Sequence, residues 1–415
     1  MSVFRPFRAV RPMPAYAHLV AALPYDVMTS DEAREKVKDN PYSFLHVDKA
    51  EIDLPLGTDL YSDEVYAKAA QNLKSLETDE IMRQDKHSCF YIYEQTWLGR
   101  TQTGLVGCAS IDEYINGSIR KHELTRADKE ADRIRHVDTC NANTGPIFLT
   151  YKGNETIDKI IDNYKKTNLP IYDFESEGDV KNRIWVVNND TGLTDKLEEA
   201  FKEVNALYIA DGHHRCASAV KVGQKRREKN PGYNGDEEFN FFLAVAFPKD
   251  ELRILDYNRV IKDTNGLSKE DLLKKINENF EIETTLSVTP FRPEERHTFG
   301  MYLDKSWYKL TAKPEVINED DPVESLDVSI LQKSLIAPVL GIEDPRTDPR
   351  IDFVGGIRGL SELERRCGED CKLAFALFPT SLDELIAIAD AGALMPPKST
   401  WFEPKLLSGL FIHKL

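Results

Sequence analysis

Residues 207–220, LYIADGHHRCASAV, join an apolar run to a small-residue run through five residues that belong to neither. Leu207 to Ala210 read as a buried strand and Cys216 to Val220 as a helix, so a strand–turn–helix unit is required here. The turn is Asp211-Gly212-His213-His214-Arg215. It puts three side chains that can carry positive charge at the start of a helix. The helix dipole disfavours cations there by about 0.3–1 kcal/mol each. A bound anion would offset that cost: free amides, two imidazoles and a guanidinium would converge on a phosphate. The plainer alternative has Asp211 as an N-cap, Gly212 relaxing the turn and the other three solvated. A third reading has Asp211 and one histidine holding a divalent ion.

A second stretch, KHELTRADKEADRIRH at 121–136, points the same way. Its spacing predicts a helix over about 120–138. His122, Arg126, Lys129, Arg133 and His136 step by four, three, four and three, and so share one face of such a helix. A stripe of one sign repels itself unless something negative covers it, whereas a solvated face mixes its charges. The stripe is therefore expected to line the same cleft as the 211–215 turn. His122-Glu123 is not followed by the second histidine of a zinc-protease helix, so that motif is rejected. No Walker loop, G-x-G-x-x-G before a helix or G-x-S-x-G elbow is present.

Other stretches are weaker candidates. In the tail MPPKSTWFEPK, Lys398, Ser399, Thr400, Trp401 and Lys405 suit either a flap over a charged ligand or simple packing on the core. Asn258-Arg259 offers a ligand contact, and Gly355-Gly356-Ile357-Arg358 an anion-binding or tight turn.

Charge narrows the function classes. Lys and Arg number 54 against 70 Asp and Glu, a net charge of −16. General nucleic-acid binding is not expected of so acidic a chain. No apolar run reaches membrane-spanning length and no secretory h-region opens the chain. The six cysteines form no C-x-x-C pair, so neither a disulfide framework nor a structural zinc site is expected, and a cytoplasmic location is. The sequence leaves a homodimer open.

Strand-like and helical segments mix along the chain. CFYIYEQTW and TGLVGCASI flank Leu98-Gly99-Arg100 as a hairpin. The fold class expected is α+β, or mixed α/β, rather than a doubly wound sheet. DTNGLS at 263–268 marks a boundary between an N-terminal region, 1–265, and a C-terminal α+β domain, 266–415.

A strand followed by Asp-Gly-His-His-Arg and a helix, with His122-Glu123 upstream, resembles the ParB/sulfiredoxin-like superfamily, and its free-serine-kinase branch most closely. The resemblance covers about 88–265 and implies a nucleotide-binding core with large insertions. Across its length the chain also resembles a large bacterial and archaeal family of unknown function. PYDV at 24–27, NPYSFL at 40–45, HELTRADKEADRIRH, ADGHHR, YNRV and MPPKSTWFEPKL carry that likeness.

The serine-kinase likeness implies a phosphotransferase using ATP or ADP with Mg²⁺, and a small hydroxyl metabolite, free L-serine first, as acceptor. Glu123 would be the base, Asp211 would hold Mg²⁺ or assist the base, and His213 would join them in the chemistry. Gly212, His214, Arg215, Arg126, Arg133 and His122 would hold phosphates or a substrate carboxylate. A metal-dependent phosphoesterase and a non-catalytic nucleotide-binding regulator are the alternatives from other classes.

Overall fold

The computed structural model describes residues 2–285 and 289–415. The fold is mixed α/β and divides into two compact units, one of residues 1–252 with 404–415, the other of residues 253–403.

The first unit is built on a nine-stranded mixed sheet. Its strands are β1 (Phe4–Arg5), β2 (Phe90–Trp97), β3 (Arg100–Ser110), β4 (Ile119–Arg120), β5 (Ile147–Tyr151), β6 (Tyr172–Ser176), β7 (Val180–Val187), β8 (Leu207–Asp211) and β9 (Phe241–Pro248). The order is β4-β8-β5-β9-β3-β2-β7-β6, with β1 on β3. β8 runs parallel to β4 and antiparallel to β5, while β9 runs parallel to β5 and antiparallel to β3. The β2–β3 hairpin closes with Trp97 opposite Arg100. Leu98 and Gly99 both take positive φ, +48° and +75°, the conformation that a two-residue turn matching strand twist requires.

β5, β8 and β9 are near-continuous apolar runs because both faces of this part of the sheet are covered. Three helices matter for the site: α1 (Asp63–Thr78), α2 (Ala127–Cys140) and α3 (His213–Lys229). Cys216, Ala217, Ser218 and Ala219 of α3 are buried, and their small size lets α2 lie close. Ser218 Oγ donates to the Glu130 carbonyl, 3.2 Å, or to the His214 carbonyl, 2.7 Å.

One buried acid in this unit sets a pH dependence. Glu113 Oε1 accepts from the Val3 amide at 2.7 Å, while Oε2 is buried without a partner. Burial pushes the carboxyl up to about 7 from 4.5. Between those values the native chain keeps a proton that the unfolded chain has lost, so stability falls as pH rises through the window. Glu113→Gln is expected to flatten that fall, and urea unfolding at pH 5 and pH 7.5 checks it. The same slope in variant and wild type would clear Glu113 of the effect.

The second unit carries a six-stranded antiparallel sheet of Phe280–Thr284, Ser306–Ala312, Thr298–Leu303, Leu373–Leu377, Tyr257–Ile261 and Ile351–Gly355, in that order across the sheet. The division falls at Leu252 rather than in the 263–268 turn because Tyr257–Ile261 pairs with Ile351–Gly355 and Leu373–Leu377. Among the described residues no helix is long and apolar enough to cross a membrane. All six cysteines are free thiols.

Candidate active site

The 211–215 turn forms where β8 gives way to α3. The ladder with β5 slips register between Ile209 and Asp211, an irregularity that re-aims the strand end. Gly212 then takes φ +93°. A Cβ there would be strained and would meet the Arg215 guanidinium at 3.3 Å. Asp211 is not the side-chain N-cap: it ends the strand, and the N-cap position falls to Gly212. Asp211 Oδ1 instead accepts from the Gly212 amide at 2.8 Å, and Oδ2 accepts from Lys405 Nζ at 3.0 Å. Burial opposes its charge, but Lys405 and Arg215 outweigh burial and hold the carboxyl well below its usual range.

The cationic crowding read from the sequence resolves in an unexpected way. Burial, reinforced by the neighbouring His122, pushes His213 well below its ordinary pKa. Burial also lowers His214. Both imidazoles are therefore neutral at neutral pH, and the helix end is relieved of two charges. His214 Nε2 accepts from the Arg126 backbone amide at 3.0 Å, which puts its proton on Nδ1. Arg215 turns back and donates from Nη1 to the Pro146 carbonyl at 2.6 Å.

The approach from the other side differs from the expected helix over 120–138. α2 begins only at Ala127, with Arg126 extended at its N-cap (φ −87°, ψ 132°). His122 and Glu123 lie in the loop after β4, so the five basic residues do not share one helical face. Thr125 Oγ1 donates to Glu130 Oε2 at 2.7 Å across the helix start. The loop still meets the turn. The rings of His122 and His213 stand edge to face, centroids 4.5 Å apart and planes at 85°. Glu123 Oε2 lies 3.7 Å from His213 Nδ1.

The remaining basic residues divide. The Arg126 guanidinium is exposed and paired with Asp128 at 2.8 Å. Arg133 is buried, paired with Asp132 at 2.8 Å, with its guanidinium 4.0 Å from the Tyr25 ring centroid. Buried His136 donates from Nε2 to the Val47 carbonyl at 3.0 Å; burial holds it below its ordinary pKa. Tyr25, Asp48, Arg133, His136, Thr144 and Arg215 border one small cavity of about 20 Å³, room for a single water. A larger open cleft of about 670 Å³ lies elsewhere in the unit, lined by Arg11, Arg83, Asp85, Lys86 and His87. It contains none of the turn residues, and Asp85 holds its Arg11 by two hydrogen bonds at 2.8 Å.

Two contributors lie outside the two principal motifs. Lys405 had only its place in the proline-stiffened tail to mark it. Tyr25 had only the PYDV motif. The other weak candidates engage one another within the second unit. Arg259 donates to the Tyr257 and Lys398 carbonyls, and Asn258 Nδ2 to Asp256 at 2.6 Å. The Trp401 ring packs over Gly355, where a Cβ would fall 2.9 Å from it.

Mg²⁺ on Asp211 is not what these atoms fit. Mg²⁺ wants several oxygen donors, and this single carboxylate already faces an ammonium and an amide.

The family model described as "Protein of unknown function (DUF1015)" matches residues 4–329. No curated protein matches the chain. Among solved structures, a free serine kinase in complex with AMP is similar at 12% identity and a TM-score of 0.34, over 71% of this chain and 85% of that one. SbnI with a C-terminal truncation, from Staphylococcus aureus, is similar at 12% identity and 0.36, over 73% and 85%. A conserved hypothetical protein from Pyrococcus furiosus is similar at 11% identity and 0.35, over 76% and 97%.

Proposed function

The chain belongs to the DUF1015 family, and for it we propose a nucleotide-dependent phosphotransferase acting on a small hydroxyl metabolite at the 211–215 turn. The observation that carries this reading is the meeting of two segments far apart in sequence. Glu123, the His122 ring and the Arg126 amide converge on His213 and His214 at the start of a 17-residue helix.

The first-turn amides of α3 have no carbonyl partner within the helix, and Cys216 is the first residue whose amide bonds back, to Gly212 at 2.9 Å. Those amides, the His214 Nδ1 proton and the Arg126 side chain are suited to phosphate oxygens. Arg215 and Arg133 would add positive potential from beneath rather than direct grip. Glu123 would accept the acceptor's hydroxyl proton as the new O–P bond forms. The bond to the nucleotide breaks, and the nucleotide leaves with the electron pair. Mg²⁺ would enter with the ATP or ADP phosphates. Free L-serine is proposed as the first acceptor, on the His-Glu and Asp-Gly-His-His-Arg motifs.

The test is incubation with ATP or ADP, Mg²⁺ and serine, and the reverse reaction from phosphoserine. Nucleotide-dependent phosphoserine formation is the expected result. A metal-dependent phosphoesterase is the second reading, favoured by the close His122, Glu123 and His213 donors. Phosphate release without nucleotide or acceptor would replace the transferase with it. Nucleotide binding without turnover in either direction would replace both with a regulator.

A further inference from the structure

Buried imidazoles with an unpartnered ring nitrogen are good donors for a metal. His122 is 2% exposed. Its ring hydrogen-bonds the Ile209 backbone. Its Nδ1 is buried without a partner. An imidazole that gives one nitrogen to a carbonyl presents the lone pair of the other, the tautomer that metal-ligating histidines adopt.

His213 is 5% exposed, and its Nε2 is also buried without a partner. Its Nδ1 stands 3.7 Å from Glu123 Oε2. One donor atom each from His122, Glu123 and His213 lies within 4.8 Å of the other two. Among the described residues this is the one group of three such donors. Bonds of 2.0–2.2 Å in a tetrahedral site put donors about 3.4 Å apart, so small side-chain rotations close the set. Plain packing accounts for the edge-to-face rings but leaves two buried ring nitrogens unsatisfied.

We propose that His122, Glu123 and His213 form a three-ligand site for a divalent transition ion of the Zn²⁺ class. Two imidazoles and a carboxylate favour such ions over Mg²⁺, which keeps to oxygen donors. The Glu123 side chain is 51% exposed, so the remaining coordination position opens towards solvent. Three protein ligands and an open position are the pattern of a reactive rather than a structural metal centre. Asp211, ion-paired with Lys405 at 3.0 Å, stays beside the histidines as a charged neighbour and not as a ligand. The site goes beyond the transferase reading, because the donor atoms alone carry it.

The test uses the metal-free full chain and Co²⁺ alone, with no nucleotide. One Co²⁺ per chain is expected, with the visible absorption of a low-coordinate ion, displaced by one equivalent of Zn²⁺. Glu123→Ala, at a half-exposed position, is expected to weaken Co²⁺ binding by at least about 10-fold. His122→Ala and His213→Ala are expected to abolish it, with circular dichroism reporting whether each remains folded. If either buried variant unfolds, Glu123→Ala decides. No saturable Co²⁺ binding by the wild type, or unchanged affinity in Glu123→Ala, overturns the site. Metal binding without phosphoryl transfer would keep the site and remove only the transferase.

Discussion

Glu123→Gln is expected to lower nucleotide-dependent turnover by roughly 10²–10⁴-fold, the usual loss when a general base is removed, with nucleotide binding kept. Gln preserves size and hydrogen bonding but cannot take a proton. The position tolerates the change, since the side chain is half-exposed and lies in a loop rather than in the core. Its place beside neutral His213 matters: a charged imidazole would clamp the carboxylate as an ion pair, and a neutral one leaves its basicity intact. Metal content measured in the same samples separates two causes. Lost turnover with metal retained makes Glu123 the base; lost turnover with lost metal makes it a ligand. Turnover equal to wild type removes Glu123 from the chemistry.

The strand–turn–helix unit was legible because each part has its own local cause. Leu207 to Ala210 are apolar, Gly212 permits positive φ, and Cys216 to Val220 are small enough for a helix packed on another. The basic stripe at 122–136 misled for a reason equally local. Period alone cannot tell a helix from a loop that happens to space its cations by three and four. The helix start depends on Arg126 being extended and on the Thr125–Glu130 hydrogen bond. Lys405 is 194 residues from Asp211, a distance that no local pattern reports. Nor does sequence show protonation: two histidines and an arginine look cationic until burial makes both imidazoles neutral.

Arg133 shows what that burial does to stability. Read as a residue of a basic stripe lining the cleft of the 211–215 turn, it is 9% exposed, held by Asp132 at 2.8 Å and close to the Tyr25 ring. Burial disfavours its charge, but Tyr25, Asp132 and Asp48 more than compensate and raise its pKa. Arg133→Ala removes the only cation that Asp132 contacts by ion pair among the described residues. It leaves that buried carboxylate with the Tyr66 hydroxyl, 2.8 Å away, and no paired cation among the described residues. Breaking a buried pair from one side costs about 3–5 kcal/mol, because the remaining charge stays desolvated. Urea unfolding at pH 7 should show a loss of that size. Arg133→Lys should lose less, since it keeps the charge while giving up the planar group over Tyr25. The double variant Asp132→Asn/Arg133→Met should recover part of the loss, because no uncompensated charge remains. A loss under about 1 kcal/mol for Arg133→Ala would place the pair among weakly contributing surface bridges. It would then contribute little to the wall beneath Arg215.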